Sequence, residues 1–222
     1  IISSLTRAYT FLCATSGSSS LPYVDVWWPT GSGPSYYARE RTWNPTPDIF
    51  IRNIKSWWNS THVHEYGHHF IYKKAVGIPG AYCNPGDYCD SDPDAIYFDD
   101  CGHCGWCPEN GNVAFSEGFP EWVASYVCLD WARHEAPGPT HATWFKNTTH
   151  CTESPYSMGE PWITEGFFAT VLHDITSEGY HNDENFDEWG DSMTADPSEV
   201  VQVVIHDYPT TPSDFLTAFH ER

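Results

Sequence analysis

The segment THVHEYGHHF, residues 61–70, sets four histidines around one glutamate. Within it, His64-Glu65-x-x-His68 spaces two imidazoles four residues apart. On an α-helix with 3.6 residues per turn such positions project from one face about a turn apart, so both rings can meet one metal ion. Glu65, beside the first ring, can reach a water activated there. Two histidines and a glutamate at this spacing are what zinc-dependent hydrolysis asks for. Random shuffling of this composition yields the pattern ~0.04 times per chain, so the motif needs support from the rest of the sequence. The plain alternative is a polar helix face of solvated histidines, with His69 pairing with Glu65 one turn back and removing the base.

A metal-binding helix needs elements that hold it. Residues 21–28, LPYVDVWW, alternate and are rich in β-formers, the turn-rich PTGSGPS follows, and residues 49–54, IFIRNI, read as a second short strand. From about Trp57 the period becomes helical, with Asn59, Ser60 and Thr61 as candidate N-caps and Val63, Tyr66, Phe70 and Ile71 as the apolar set. Gly67 would let a neighbouring backbone approach this helix closely. Further helices are expected from about Glu117 to Trp131 and from about Pro161 to Thr176, with Pro120 near the start of the first, where a missing N–H is tolerated. A last helix is expected from Ser213 to His220, capped by Ser213. Residues 79–113 differ: Gly, Pro and Asp are abundant, five of the eight cysteines lie there, and neither helical nor strand period is present. They read as a disulfide-stapled insertion, and CGHCGWC, residues 101–107, lacks the second pair that a zinc knuckle would bring.

With 222 residues, 40% hydrophobic and 16% aromatic content, the chain suits a single globular domain. No apolar run approaches the length of a membrane span. The net charge of -20, from 30 acidic against 10 basic residues, and the lack of a basic patch argue against a nucleic-acid partner. Eight cysteines, with sequons at Asn59 and Asn147, point to an oxidising, extracellular setting with N-glycosylation at one or both sites. The chain opens on Ile1 without a signal-peptide pattern, as a processed mature chain does and as an arbitrary boundary would equally. Calcium is a possible further ligand, at Asp90, Asp92, Asp94, Asp99 and Asp100 or at Asp183, Asn185 and Asp187. The latter run is no EF-hand, because Glu188 stands where Gly is required and Thr194 where the bidentate Glu belongs.

Catalytic zinc takes three protein ligands and keeps one position open for water. A third histidine in the pattern His-x-x-Gly-x-x-His would need Gly at 71 and His at 74, where Ile71 and Lys74 stand. The other common solution is a glutamate on a following helix, and FSEGFPEWVASY, residues 115–126, offers one. The HEYGH helix followed by a Ser/Asn-Glu-x-x-x-Asp/Glu helix resembles the gluzincin, or thermolysin-like zincin, group of zinc metallopeptidases. The resemblance touches scattered blocks between about residues 22 and 175, including WITEGFFATVLHDI. It implies an α+β zincin-like fold: a small mixed sheet followed by the active-site helix and further helices. It also implies one zinc on His64, His68 and Glu117, with Glu121 supporting a histidine ligand and Glu65 as general base for hydrolysis of a protein or peptide substrate. The i, i+4 spacing of Glu117 and Glu121 puts both carboxylates on one helix face, as those roles require.

The sequence departs from the family in three ways. His68 and Glu117 are separated by 48 residues, a longer gap than usual that the Cys-rich insertion fills; Ser116 replaces the commoner Asn; no Tyr or His matches the residue that stabilises the transition state. Glu165, in TEGF at 164–167, rivals Glu117 in SEGF at 116–119. Ala169 stands where its supporting acid would be, and Phe168, Val171, Leu172 and Ile175 give that helix the look of a core element. His62 lies off the i, i+4 pair, and His173 reads as a satisfied helix histidine, the alternative being a ring that orients a substrate oxyanion. No Gly-x-Ser-x-Gly elbow, P-loop or dinucleotide fingerprint is present, and a two-carboxylate glycosidase leaves the histidine pair unexplained. The alternative from another class is a non-enzymatic extracellular glycoprotein, a fibre or surface subunit that retains a zincin fold. Such a descendant has little reason to keep Glu65 between intact ligands.

Overall fold

The computed structural model describes residues 1–31, 35–38, 46–55, 58–75, 111–128, 165–176 and 195–222. In chain order these form α1 (Ile2–Ser16), β1 (Asp25–Trp27), β2 (Tyr36–Ala38), β3 (Asp48–Phe50), a 3-10 turn (Asn53–Lys55), α2 (Asn59–Lys74), α3 (Gly111–Cys128), α4 (Glu165–Thr176), α5 (Pro197–Asp207) and α6 (Pro212–His220). The described part is mostly helical with one small sheet. No described helix is long and apolar enough to cross a membrane.

The sheet is mixed, in the order β1-β3-β2: β1 runs parallel to β3 and β2 antiparallel to it. The β-forming runs are cut short at both ends. Of residues 21–28 only Asp25–Trp27 pair, and of residues 49–54 only the first two do, in a strand that starts at Asp48; the chain then turns into the 3-10 segment. β2, just beyond the turn-rich stretch, goes beyond the strands expected from the sequence. It is held by cross-strand contacts, Tyr36 stacking on Phe50 at 4.6 Å between ring centroids. Central β3 buries Ile49 completely, and the chain beyond it buries Ile51.

Three helix boundaries differ from those expected. α2 starts at Asn59 with Trp58 in the cap position and no side-chain cap; Asn59 instead accepts a hydrogen bond from Ser4 Oγ of α1 at 2.7 Å. α3 begins at Gly111, so the last residues of the expected insertion are helical and Pro120 lies inside the helix rather than near its start. A proline there forfeits a backbone hydrogen bond, and the fold places its ring where a small neighbour is needed. α4 is described from Glu165 onward, and residues 161–164 of the expected helix lie outside the described residues. α6 is capped by Thr211, whose side chain accepts from Asp214 N–H, with Pro212 rather than Ser213 in the first turn.

α1 and α5 also exceed the elements expected from the sequence. α1 ends in a left-handed Gly17, and α5 starts with Asp196 accepting from Ser198 N–H and Pro197 in the first turn. The expected insertion up to residue 110, the acidic calcium runs, Asn147 and six of the eight cysteines lie outside the described residues. Of the remaining two, Cys13 and Cys128, neither is bonded to the other.

α2, α3 and α4 pack around buried Phe70, Phe115, Phe119, Trp122 and Phe168, with Phe215 of α6 closing the cluster. Trp122 Nε1 donates to Thr176 Oγ1 at 3.2 Å, so the largest core side chain is also satisfied at its polar end. Two glycines set the helix spacing. A Cβ on Gly67 would lie 2.8 Å from Pro120 Cα, and one on Gly118 would lie 2.6 Å from the carbonyl oxygen of Glu165. Each therefore marks a backbone-to-backbone contact that any side chain would wedge apart. Gly67→Ala gains the intrinsic helix preference of alanine, about 1 kcal/mol, yet is expected to destabilise the protein by about 1–3 kcal/mol through overpacking. Urea unfolding checks this; unchanged or increased stability would show that α2 and α3 are not in van der Waals contact there.

Candidate metal centre

The close approach at Gly67 and Pro120 falls where the chemistry-bearing residues lie. His64 and His68 flank Gly67 on α2, and Glu117 and Glu121 flank Pro120 on α3. His64 Nε2 and His68 Nε2 stand 3.0 Å apart, and Glu117 Oε2 lies 3.2 Å from the first and 3.1 Å from the second. Ligand atoms 2.0–2.1 Å from a tetrahedral zinc stand about 3.3 Å apart. The three donors thus form a triangle of almost the right size for one face of such a site. Among the described residues, His64, His68 and Glu117 are the group whose ligating atoms gather in this way.

The fourth member sits behind the triangle. Glu121 Oε2 is 3.0 Å from His64 Nδ1, on the side of the ring away from Glu117. A carboxylate there accepts the Nδ1–H and leaves the Nε2 lone pair facing Glu117 and His68, which is how a ligating histidine is oriented. All four side chains that the resemblance assigns to metal binding are therefore brought together. Glu65, 5% exposed, is close enough for its charge to act on His64.

The electrostatics fit a cation. Glu65 and Glu117 are both buried, and carboxylates out of water need a positive partner. Burial disfavours a charged His64, but the adjacent carboxylates of Glu117 and Glu121, helped by Glu65, outweigh it and raise the His64 pKa well above the ordinary imidazole value. A proton on His64 and a dication in the triangle would each place positive charge among these carboxylates, so the two would compete.

The remaining candidates are placed elsewhere. Glu165 is buried at the start of α4, and its backbone carbonyl packs on Gly118 of α3, next to Glu117. Its carboxylate is not part of the donor triangle. His69 turns away from the site, its Nε2 2.9 Å from the Pro22 carbonyl oxygen and its Nδ1 3.5 Å from Tyr37 Oη. The sequence offers only a partial signal for this: His69 follows His68, about 100° around the helix, so it must face another element. His62 is fully buried with Nδ1 3.2 Å from Ser4 Oγ, and burial lowers its pKa to about 4, so the ring is neutral at neutral pH. Asn59, the one described sequon asparagine, is exposed in the first turn of α2. His173 is half-buried on α4.

Metal binding must displace the proton on His64, which in the metal-free protein is held above the usual imidazole range. Affinity is therefore expected to rise with pH, by about tenfold per pH unit below that raised pKa, as one proton is released per ion bound. Competition titrations against a chromophoric chelator between about pH 6 and 8 measure this; a flat profile would separate His64 from the ion. No protein-family model, no curated protein and no solved structure matches the chain, so the geometry of these residues stands on its own.

Proposed function

We propose that the chain is a secreted zinc-dependent metallopeptidase of gluzincin type, with a zincin-like fold and a glutamate general base. The observation that carries this reading is the donor triangle of His64, His68 and Glu117 backed by Glu121 on His64 Nδ1. Zinc held by those three residues would supply Lewis acidity, making a water easier to deprotonate and a peptide carbonyl easier to attack.

The chain's own groups account for the proton traffic. Glu65 neighbours His64 and is screened from bulk water, and its carboxylate would take a proton from the attacking water. The same carboxyl then returns the proton to the leaving nitrogen, without which an amide does not part. Glu121 holds the orientation of His64 throughout, because its bond goes to the nitrogen that faces away from Glu117. The mixed sheet preceding α2 and the helices after it agree with a zincin-like arrangement, and the cysteines and sequons support an extracellular setting.

Glu65→Gln keeps the shape and removes the base. It is expected to retain zinc while kcat on a quenched fluorescent peptide library falls by about 10²–10⁴-fold. Full turnover by the zinc-loaded variant would remove Glu65 from the mechanism, and absence of any turnover by the zinc-loaded wild type would favour a non-enzymatic glycoprotein.

A further inference from the structure

His69 is completely buried, yet it is a polar ring whose two nitrogens face groups on two different segments. Nε2–H donates to the carbonyl oxygen of Pro22, at 2.9 Å, in the chain leading into β1. Nδ1 faces the hydroxyl of Tyr37, the central residue of β2, at 3.5 Å. The carbonyl can only accept, so Nε2 carries a proton, while the Tyr37 hydroxyl faces Nδ1. The ring is further boxed in by Tyr37 and Tyr66, with centroids 5.7 Å and 5.4 Å away, and Tyr37 also packs on Tyr72 one turn along α2.

The consequence concerns the ligand next door. Residues 68 and 69 are rigidly about 100° apart on the helix, so whatever fixes the direction of His69 also fixes that of His68. α3 constrains the other side of α2 through Gly67 and Pro120, but a contact with a glycine resists approach, not rotation. We propose that His69 is a positioning residue for the metal centre: by bonding the segment before β1 and abutting β2, it sets the rotation of α2 about its axis and hence the aim of His68 Nε2 at Glu117. The proposal rests on the metal-centre reading of the preceding sections.

The test compares zinc affinity with fold in His69→Leu, His69→Asn and His69→Gln. Gln can carry an N–H donor to about the reach of imidazole Nε2, whereas Asn is one methylene short and Leu has no donor. With chelator competition as the readout, Leu and Asn are expected to weaken zinc binding by about tenfold or more, the usual effect of losing an outer support, and Gln to stay within about threefold of wild type. Circular dichroism and thermal unfolding run alongside. If Leu does not fold, Asn against Gln still decides, since both are polar amides of one chemistry. Equal zinc affinity in all folded variants, whatever their melting temperatures, would reduce His69 to a packing residue and overturn the proposal. Absence of zinc binding by the wild type would instead bring down the metal-centre reading itself, so the two failures are distinguishable.

Discussion

The closeness of α2 to α3 at Gly67 and Pro120 is the constraint on which the site depends. Paired carboxylates and imidazoles on two helices meet only if the backbones come near enough for short side chains to span the gap. A missing Cβ on one helix and a flat ring on the other allow this, at the cost of a backbone hydrogen bond inside α3. Gly118 repeats the device one layer further, bringing α4 against α3 beside Glu117. Ligand geometry and core packing are thus one problem: the same contacts that seat Phe119 and Trp122 bring Glu117 to within 3.2 Å of both ring nitrogens.

That geometry concentrates negative charge in a region largely closed to water, in a chain whose net charge is already -20. A buried carboxylate is tolerated when it is paired. Here the pairing runs through two imidazoles, with Glu117 shared between His64 and His68 and Glu121 on the other nitrogen of His64. Three carboxylates gathered around two imidazoles make a setting of negative charge that a dication would suit, beyond what the motif alone conveys.

What could be read from the sequence was what local periodicity determines. The i, i+4 spacing of His64 and His68, and of Glu117 and Glu121, places each pair on one face before anything is known of tertiary structure. The preference for Glu117 over Glu165 rested on the acid four residues on, and the described structure brings Glu117, not Glu165, into the triangle. What could not be read was tertiary. Pro120 suggested a helix start because a lone sequence does not show the glycine that accommodates it in a helix interior. α1 is rich in Ser and Thr and buries few large side chains, so its apolar stripe is faint. β2 exists because Tyr36 and Tyr37 have partners on β3 and α2. His69 suggested a salt bridge to Glu65 on its own helix, but its ring nitrogens face the segment before β1 and β2, a relation no spacing within α2 encodes.

The most direct measurement is metal content by elemental mass spectrometry of the purified chain, beside Glu117→Ala and Glu165→Ala. One zinc per chain in the wild type and in Glu165→Ala, with loss in Glu117→Ala, is the expected result. A folded wild type without zinc, or zinc that survives loss of Glu117 and departs with Glu165, would contradict the assignment of the donor triangle as the metal centre.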